Sequence, residues 1–333
     1  MTGDDTVVLS LSEAHALCEA AALRRGASLA VARSLATAFV RAEAEGQPAV
    51  GLSHFVDHLD ALAAGRIDGR ALPALTRPAP ALILSDAQGG AAHLGYDLAF
   101  DDLVAAASTF GIAAFAQRNG FTCGALGHFV ARLAETGLVG LAAANGPPLL
   151  AGSGSSKPVY CTNPMAFAAP VANGPPLLID QSSSATAFVS IRQAAREGRP
   201  IPEGWALDAD GLPTTDPARA LGGALLAFGG ARGANVALMV EVLAAGLTGA
   251  NWSLDAASFT QGAESPRAGL FVVAIAPRLI DADFPDRLAV QLARLRQDYG
   301  VHIPGRARAE AARTAAHIGL TIPKSLHRLI LSA

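Results

Sequence analysis

Between about residues 81 and 250 short apolar runs alternate with longer segments of helical spacing, and this alternation restricts the fold more than any other feature of the chain. Segments 81–86, 112–116, 139–143 and 177–179 read as buried strands, while 96–109 and 125–137 carry apolar residues at helical intervals. Strands separated by helices bury both kinds of apolar surface by stacking helices on a sheet, so a mixed α/β body is expected. The first seventy or so residues read as helical. Ser10-Leu11-Ser12-Glu13 has capping-box spacing ahead of 14–25, and Ser28 is placed to cap a helix over 29–45 that ends at Gly46. Gly69 and the prolines at 73, 78 and 80 mark the loop leading out of this region. Beyond Pro277, segments 284–299, 306–319 and 323–331 again show helical spacing without strand alternation. Helices from both termini should therefore bracket the sheet.

A chain of 333 residues is long enough for about two domains. Apolar residues make up 51% of it, but alanine and glycine supply much of that fraction, and no run of about 18 strongly apolar residues predicts a membrane span. The opening Met1-Thr2-Gly3-Asp4-Asp5 is acidic and lacks the basic and apolar regions of a secretory signal, which makes the cytoplasm the expected location. Cys18, Cys123 and Cys161 are too dispersed for a disulfide framework or a CxxC metal pair. A net charge of −3 without a basic stripe argues against nucleic acid, leaving a small molecule as the expected partner.

Phe228-Gly229-Gly230-Ala231-Arg232-Gly233-Ala234-Asn235 precedes an apolar helical run. Glycines permit close backbone approach, a helix N-terminus favours anions, and Arg232 adds a cation, so an anion-binding loop is one reading; a simple turn before a core helix is the other. Gly152 to Lys157 is similar to a phosphate loop but lacks GxxxxGK[ST] spacing, and no GxGxxG is present. His54 and His58 lie four apart, with Asp57 and Asp60 nearby, so they share a helix face; no third zinc ligand is identifiable, and no metal is expected. A GxSxG nucleophile elbow is absent. Ala-Asn-Gly-Pro-Pro-Leu-Leu occurs at both 144–150 and 172–178, read as two turns of similar chemistry.

Several blocks taken together, namely Gly51-Leu52-Ser53-His54, Cys161-Thr162-Asn163-Pro164-Met165-Ala166-Phe167, Leu178-Ile179-Asp180, residues 194–206 and Pro213-Thr214-Thr215-Asp216-Pro217, resemble the malate/L-lactate dehydrogenase family of NAD(P)H enzymes that lack a Rossmann fold. Within it, residues 244–253 are most similar to Δ1-piperideine-2-carboxylate/Δ1-pyrroline-2-carboxylate reductases. The resemblance implies a mixed-sheet NAD(P)-binding domain over 118–283, a substrate-side α/β segment over 76–117, and a helical region made of 1–75 with 284–333. It also implies a homodimer, a cyclic imino acid as substrate, and NADPH or NADH as cofactor.

On this template Ser53, His54 and Asp180 are the catalytic residues. His54 acts as general acid toward a ketimine nitrogen or a carbonyl oxygen, and Asp180 holds its tautomer. Thr162, Asn163, Thr122, Gly230, Arg232 and Gly233 correspond to cofactor contacts, and Ser53, Phe55, His58 and Arg232 to substrate contacts. Lys157 and Arg118 are candidates for a 2′-phosphate. The chain departs from the family pattern at three places. Ala231-Arg232 replaces His-Lys, Gly120-Phe121-Thr122-Cys123 replaces Ser-His-His-Phe, and Phe55 with His58 replaces the glycine and arginine that follow Ser-His. Loss of that arginine favours a monocarboxylate over malate, with a ring packing on Phe55 or Phe121. Dehydrogenation of a 2-hydroxyacid, and a non-catalytic binding protein on the same fold, remain the other readings.

Overall fold

A computed structural model describes residues 5–333. Its centre is a seven-stranded sheet. In spatial order it runs β2 (Ala74–Ala79), β3 (Leu82–Asp86), β4 (Ile112–Gly120), β13 (Ala268–Ile275), β5 (Val139–Ala144), β8 (Met165–Ala169) and β9 (Leu177–Gln181). Only β3 and β4 pair in parallel; every other neighbouring pair in this sheet is antiparallel. A doubly wound nucleotide fold needs a mostly parallel sheet, so this mixed sheet agrees with the missing glycine fingerprint.

A smaller five-stranded sheet joins β11 (Pro213–Thr214), β10 (Ala206–Leu207), β12 (Ala224–Leu225), β6 (Leu150–Ala151) and β7 (Pro158–Tyr160). At the opposite end β1 (Thr6–Leu9) pairs antiparallel with β14 (Leu320–Pro323), fastening the two termini together. The helices are α1 (Leu11–Arg24), α2 (Leu29–Ala44), α3 (Leu52–Ala63), α4 (Ala92–Phe110), α5 (Gly127–Glu135), α6 (Phe188–Glu197), α7 (Pro217–Leu221), α8 (Ala231–Glu241), α9 (Phe284–Tyr299), α10 (Arg306–Ile318) and α11 (Lys324–Ser332).

Local sequence explains the helical region. Glu13 N–H donates to Ser10 Oγ (3.2 Å) while Ser10 N–H donates to Glu13 Oε2 (2.8 Å), completing the capping box that starts α1. Ser28 caps α2 by accepting from Val31 N–H (3.3 Å). Leu35, Phe39, Phe55 and Leu59 from α2 and α3 then close a core with Cys18 of α1 and Ile330 of α11, so the two ends of the chain share one apolar interior.

A second core lies between the large sheet and helices α4 and α5, filled by Tyr96, Leu103, Phe115, Phe129 and Val272. The small sheet has its own core of Leu150, Ile191, Ile201 and Leu225, which includes one face of α6. Strands of 76–117 and of 118–283 lie in the same large sheet, since β3 pairs with β4 and β4 with β13. No helix among the described residues is long and apolar enough to cross a membrane.

Candidate active site

Helix α3 begins without a capping side chain of its own. Glu43 on α2 supplies the cap instead: Leu52 N–H donates to Glu43 Oε2 at 2.8 Å. Gly51 is required by this arrangement, because a Cβ there would lie 2.4 Å from that same oxygen. The carboxylate at the positive end of the helix dipole fixes where α3 starts and hence where its first turn points. That turn carries Ser53, exposed, and His54, whose side chain keeps 16% of its surface.

One turn further on, Asp57 Oδ2 lies 2.9 Å from His54 Nδ1. Burial pushes the Asp57 carboxyl up, and the hydrogen bond and charge of His54, with Arg192 and His58, outweigh it and leave the group below the usual carboxylate range. Arg192, from α6 of the small lobe, places Nη1 3.6 Å from the same Oδ2. The opposite edge of the imidazole faces the 122–127 loop: a Cβ on Gly124 would lie 3.6 Å from His54 Cδ2.

Three expectations are corrected by this geometry. Asp180 is not the partner of the imidazole; its Oδ2 accepts from Gly127 N–H (2.9 Å) and lies 3.4 Å from Arg308 Nη1, while Asp57 occupies the position at His54. Burial pushes Asp180 above the usual carboxylate range, against the opposing pull of Gly127 and Arg308. Phe55 is fully buried in the helical core, because the residue after His54 on a helix turns about 100° away from it. His58 is fully buried as well, with Nδ1 3.2 Å from His54 O and Nε2 3.1 Å from Thr122 O. Burial and the neighbouring His54 and His93 push His58 down to about 3, so it sits in the core as a neutral ring that ties α3 to the Thr122 loop.

Of the residues expected at a cofactor, Thr162, Asn163 and the glycine loop with Arg232 fall into one connected piece, while the Thr122 loop is tied to His58. Asn163, at φ 38°, turns its side chain inward, where Nδ2 donates to Ala237 O and Glu241 Oε2, both at 2.8 Å. Glu241 also accepts from the N–H and hydroxyl of Ser253, at 2.6 and 2.7 Å, and Ser253 Oγ accepts from Cys161 N–H at 3.1 Å. The Thr162-Asn163 loop is thereby bolted to α8, whose other end is the glycine loop. There Gly229 and Gly230 adopt φ of 58° and 64°, and a Cβ on Gly233 would meet Phe228 O at 2.1 Å.

Arg232 is exposed on the first turn of α8, beside N–H groups that have no partner within the helix. Asn163 Oδ1 is buried and has no partner. Glycines at the loop, free amides and an arginine fit the phosphates of a nucleotide, and Thr162 and Thr122 are half-buried. Lys157 is exposed, and Arg118 pairs with Asp86 at 3.0 Å. An open cleft of about 760 Å³ lies at the far end of α3, bordered by Arg66, Asp86, Asn119 and Asn251, and contains none of these residues.

Asp57, Arg192, Glu43 and Glu241 were missed as site-forming residues. Asp57 had a readable signal, since i and i+3 share a helix face. Arg192, 138 positions from His54 in sequence, had none.

Fold and site together define a mixed-sheet scaffold outside the Rossmann class, with an anion-binding glycine loop and a His–Asp pair. Residues 9–330 match the malate/L-lactate dehydrogenase family, and the chain belongs to that family and is an oxidoreductase. It is 37% identical to a Δ1-pyrroline-2-carboxylate/Δ1-piperideine-2-carboxylate reductase of Pseudomonas putida, with 95% of this chain and 94% of that one covered. It is 35% identical to a (2R)-3-sulfolactate dehydrogenase (NADP(+)) of Chromohalobacter salexigens, over 96% of each. The crystal structure of Δ1-piperideine-2-carboxylate reductase from Pseudomonas syringae pv. tomato superposes with a TM-score of 0.94 at 33% identity, covering 98% of this chain and 99% of that one.

Proposed function

We propose that the protein reduces the cyclic ketimine Δ1-pyrroline-2-carboxylate, or its six-membered homologue, to L-proline or L-pipecolate with NADPH or NADH, acting as a homodimer. The observation that carries this reading is full-length similarity to curated reductases of those imines. The nucleotide, when bound, supplies a hydride to C2 of the ring. The chain's own part is to orient the imine and deliver a proton to its nitrogen.

His54 is suited to that step. With Nδ1 held by Asp57, Nε2 is the nitrogen free to face a substrate, and as an imidazolium it donates through both. Ser53, exposed one residue earlier, contributes a hydroxyl at the same mouth. Thr162, Gly230, Arg232 and Gly233 hold the nucleotide phosphates and nicotinamide side in this proposal, and Asp180 keeps α5 in place through Gly127.

Asp57 is a positioning residue. Asp57→Asn preserves shape and removes the charged partner that orients the imidazole, so kcat should drop about tenfold with KM near its wild-type value. A raised KM with kcat unchanged would assign Asp57 a part in binding instead of in positioning His54. Dehydrogenation of a 2-hydroxyacid is the second reading, favoured by the sulfolactate dehydrogenase relative. Following reduced nicotinamide with Δ1-pyrroline-2-carboxylate, pyruvate and oxaloacetate in parallel separates the two: faster oxidation with the cyclic imine supports the first, and turnover of oxoacids alone supports the second.

A further inference from the structure

The guanidinium of Arg192 forms no hydrogen bond to the protein among the described residues, although the side chain is only 27% exposed and lies against a carboxylate. Three other arginines of this region have partners. Arg308 lies 3.4 Å from Asp180, Arg41 bonds Glu45 and Glu135, and Arg132 bonds Asp97 beneath the Phe100 ring. Arg192 meets Asp57 Oδ2 at 3.6 Å, too long for a hydrogen bond, and that same oxygen is bonded to His54. An arginine whose planar fork is left unfilled beside a dyad, in a partly enclosed position, has donors available for a second carboxylate.

The element that carries it explains how it arrives. Ile191 and Ala194 bury one face of α6 in the core of the small lobe. Phe188, at the start of the same helix, packs edge-on to Phe259 at 6.3 Å, and Phe259 leans on the core of the helical region. Helix α6 thus spans from the small lobe to the α3 side, and Arg192 is the cation it delivers to His54. One turn after His54 this chain has the buried neutral His58, which offers no charge to an anion. Arg232, at the start of α8, belongs to the piece built around Asn163 and Glu241.

Resting on the reading of the chain as a ketimine reductase, we propose that Arg192 binds the carboxylate of the substrate and sets its preference for α-carboxylated imines. The ring nitrogen then faces His54 Nε2 while the carboxylate, on the adjacent carbon, takes the open edge of the guanidinium. Asp57 stays between the two cations and keeps both oriented. Selection for a single carboxylate follows, because the fork serves one carboxylate and no second cation is directed at His54.

The test measures kcat/KM for Δ1-pyrroline-2-carboxylate and for Δ1-pyrroline, the same ring without the carboxylate, in wild type, Arg192→Gln and Arg192→Lys. Binding of pyrrole-2-carboxylate, a planar analogue, is measured in all three by calorimetry with the nicotinamide nucleotide present. Arg192→Gln should lower the ratio of the two kcat/KM values and weaken pyrrole-2-carboxylate by 10- to 100-fold, mostly through KM, with Arg192→Lys recovering part of the loss. An unchanged ratio and unchanged analogue affinity, or a loss confined to a displaced pH profile as expected if Arg192 only holds Asp57, overturns the assignment. If wild type turns over oxoacids and no cyclic imine, the ketimine reading fails, and the effect of Arg192→Gln on pyrrole-2-carboxylate affinity still decides the role of Arg192.

Discussion

Replacing His54 by alanine is expected to lower kcat for the cyclic imine by about 100- to 10,000-fold, the usual contribution of a positioned general acid. The loss should fall on kcat more than on KM, because proton delivery is an interaction realised only as the nitrogen gains charge in the transition state. Folding should survive the change. His54 is half-buried, its neighbours Phe39 and His58 are held by the core, and Leu52 keeps its cap from Glu43. Near-ultraviolet circular dichroism and nucleotide binding therefore stay at wild-type values while turnover collapses. A folded His54→Ala protein with full activity would remove His54 from the chemistry and leave the proton to water or to Ser53.

The second large effect is on stability. His58, His93 and His128 are buried, and burial pushes His58 to about 3 and His93 to about 4, with His128 well below the ordinary imidazole range. Their surroundings reinforce this in part. His58 faces His54 and His93; His93 faces His54, Arg132 and the opposing Asp97; and His128 faces His93, Arg132 and Arg41. His93 Nε2 lies 3.0 Å from Cys123 O, whereas the Nδ1 atoms of His93 and His128 have no partner.

These rings refuse protons in the folded state and accept them near pH 6.5 when unfolded. Stability contributed by keeping them neutral is thus fully present above pH 6.5 and lost as the pH falls below it. At pH 5 His58 and His93 each cost about 2 kcal/mol, together about 4 kcal/mol, a large part of the stability of an ordinary domain, and His128 acts in the same direction. Urea titrations at pH 7.5 and pH 5 should show a markedly lower midpoint at pH 5, and His93→Phe should make that drop smaller. Equal midpoints at the two pH values would mean that these rings are hydrated or charged in the fold.

Much of the architecture was readable in the sequence because the decisive interactions are local. The capping box at Ser10 and Glu13 and the cap at Ser28 need only neighbouring residues, and both helices start where those residues place them. Strand β13 was not anticipated, although it is the middle strand of the large sheet. Its sequence, Ala268 to Ile275, is continuously apolar with no alternation, since both of its faces are covered, and it follows a polar loop that separates it from the earlier strands. The pairing of β1 with β14 joins segments more than 300 residues apart, a contact that no local pattern announces.

The same division holds at the site. His54 and the glycine loop stood out by residue type and motif, and Asp57 was within reach through helix geometry. The choice between Asp57 and Asp180 for the imidazole depends on where the tertiary fold holds β9, whose Asp180 bonds Gly127, and Arg192 depends on how α6 crosses from another lobe. Phe55 and His58 were placed at the substrate by sequence position alone, which does not reveal that the core takes both faces on which they lie.

Hydride transfer to C2 of a cyclic ketimine is read out by following an isotopic label. The purified protein is incubated with NADPH, and separately NADH, carrying deuterium at both C4 positions of the nicotinamide, together with equal concentrations of Δ1-pyrroline-2-carboxylate and pyruvate. A ketimine reductase yields proline one mass unit heavier, with the deuterium at C2 and the L configuration, and little or no labelled lactate. Labelled lactate with unlabelled or absent proline would contradict it and place the chain among the 2-hydroxyacid dehydrogenases of its family.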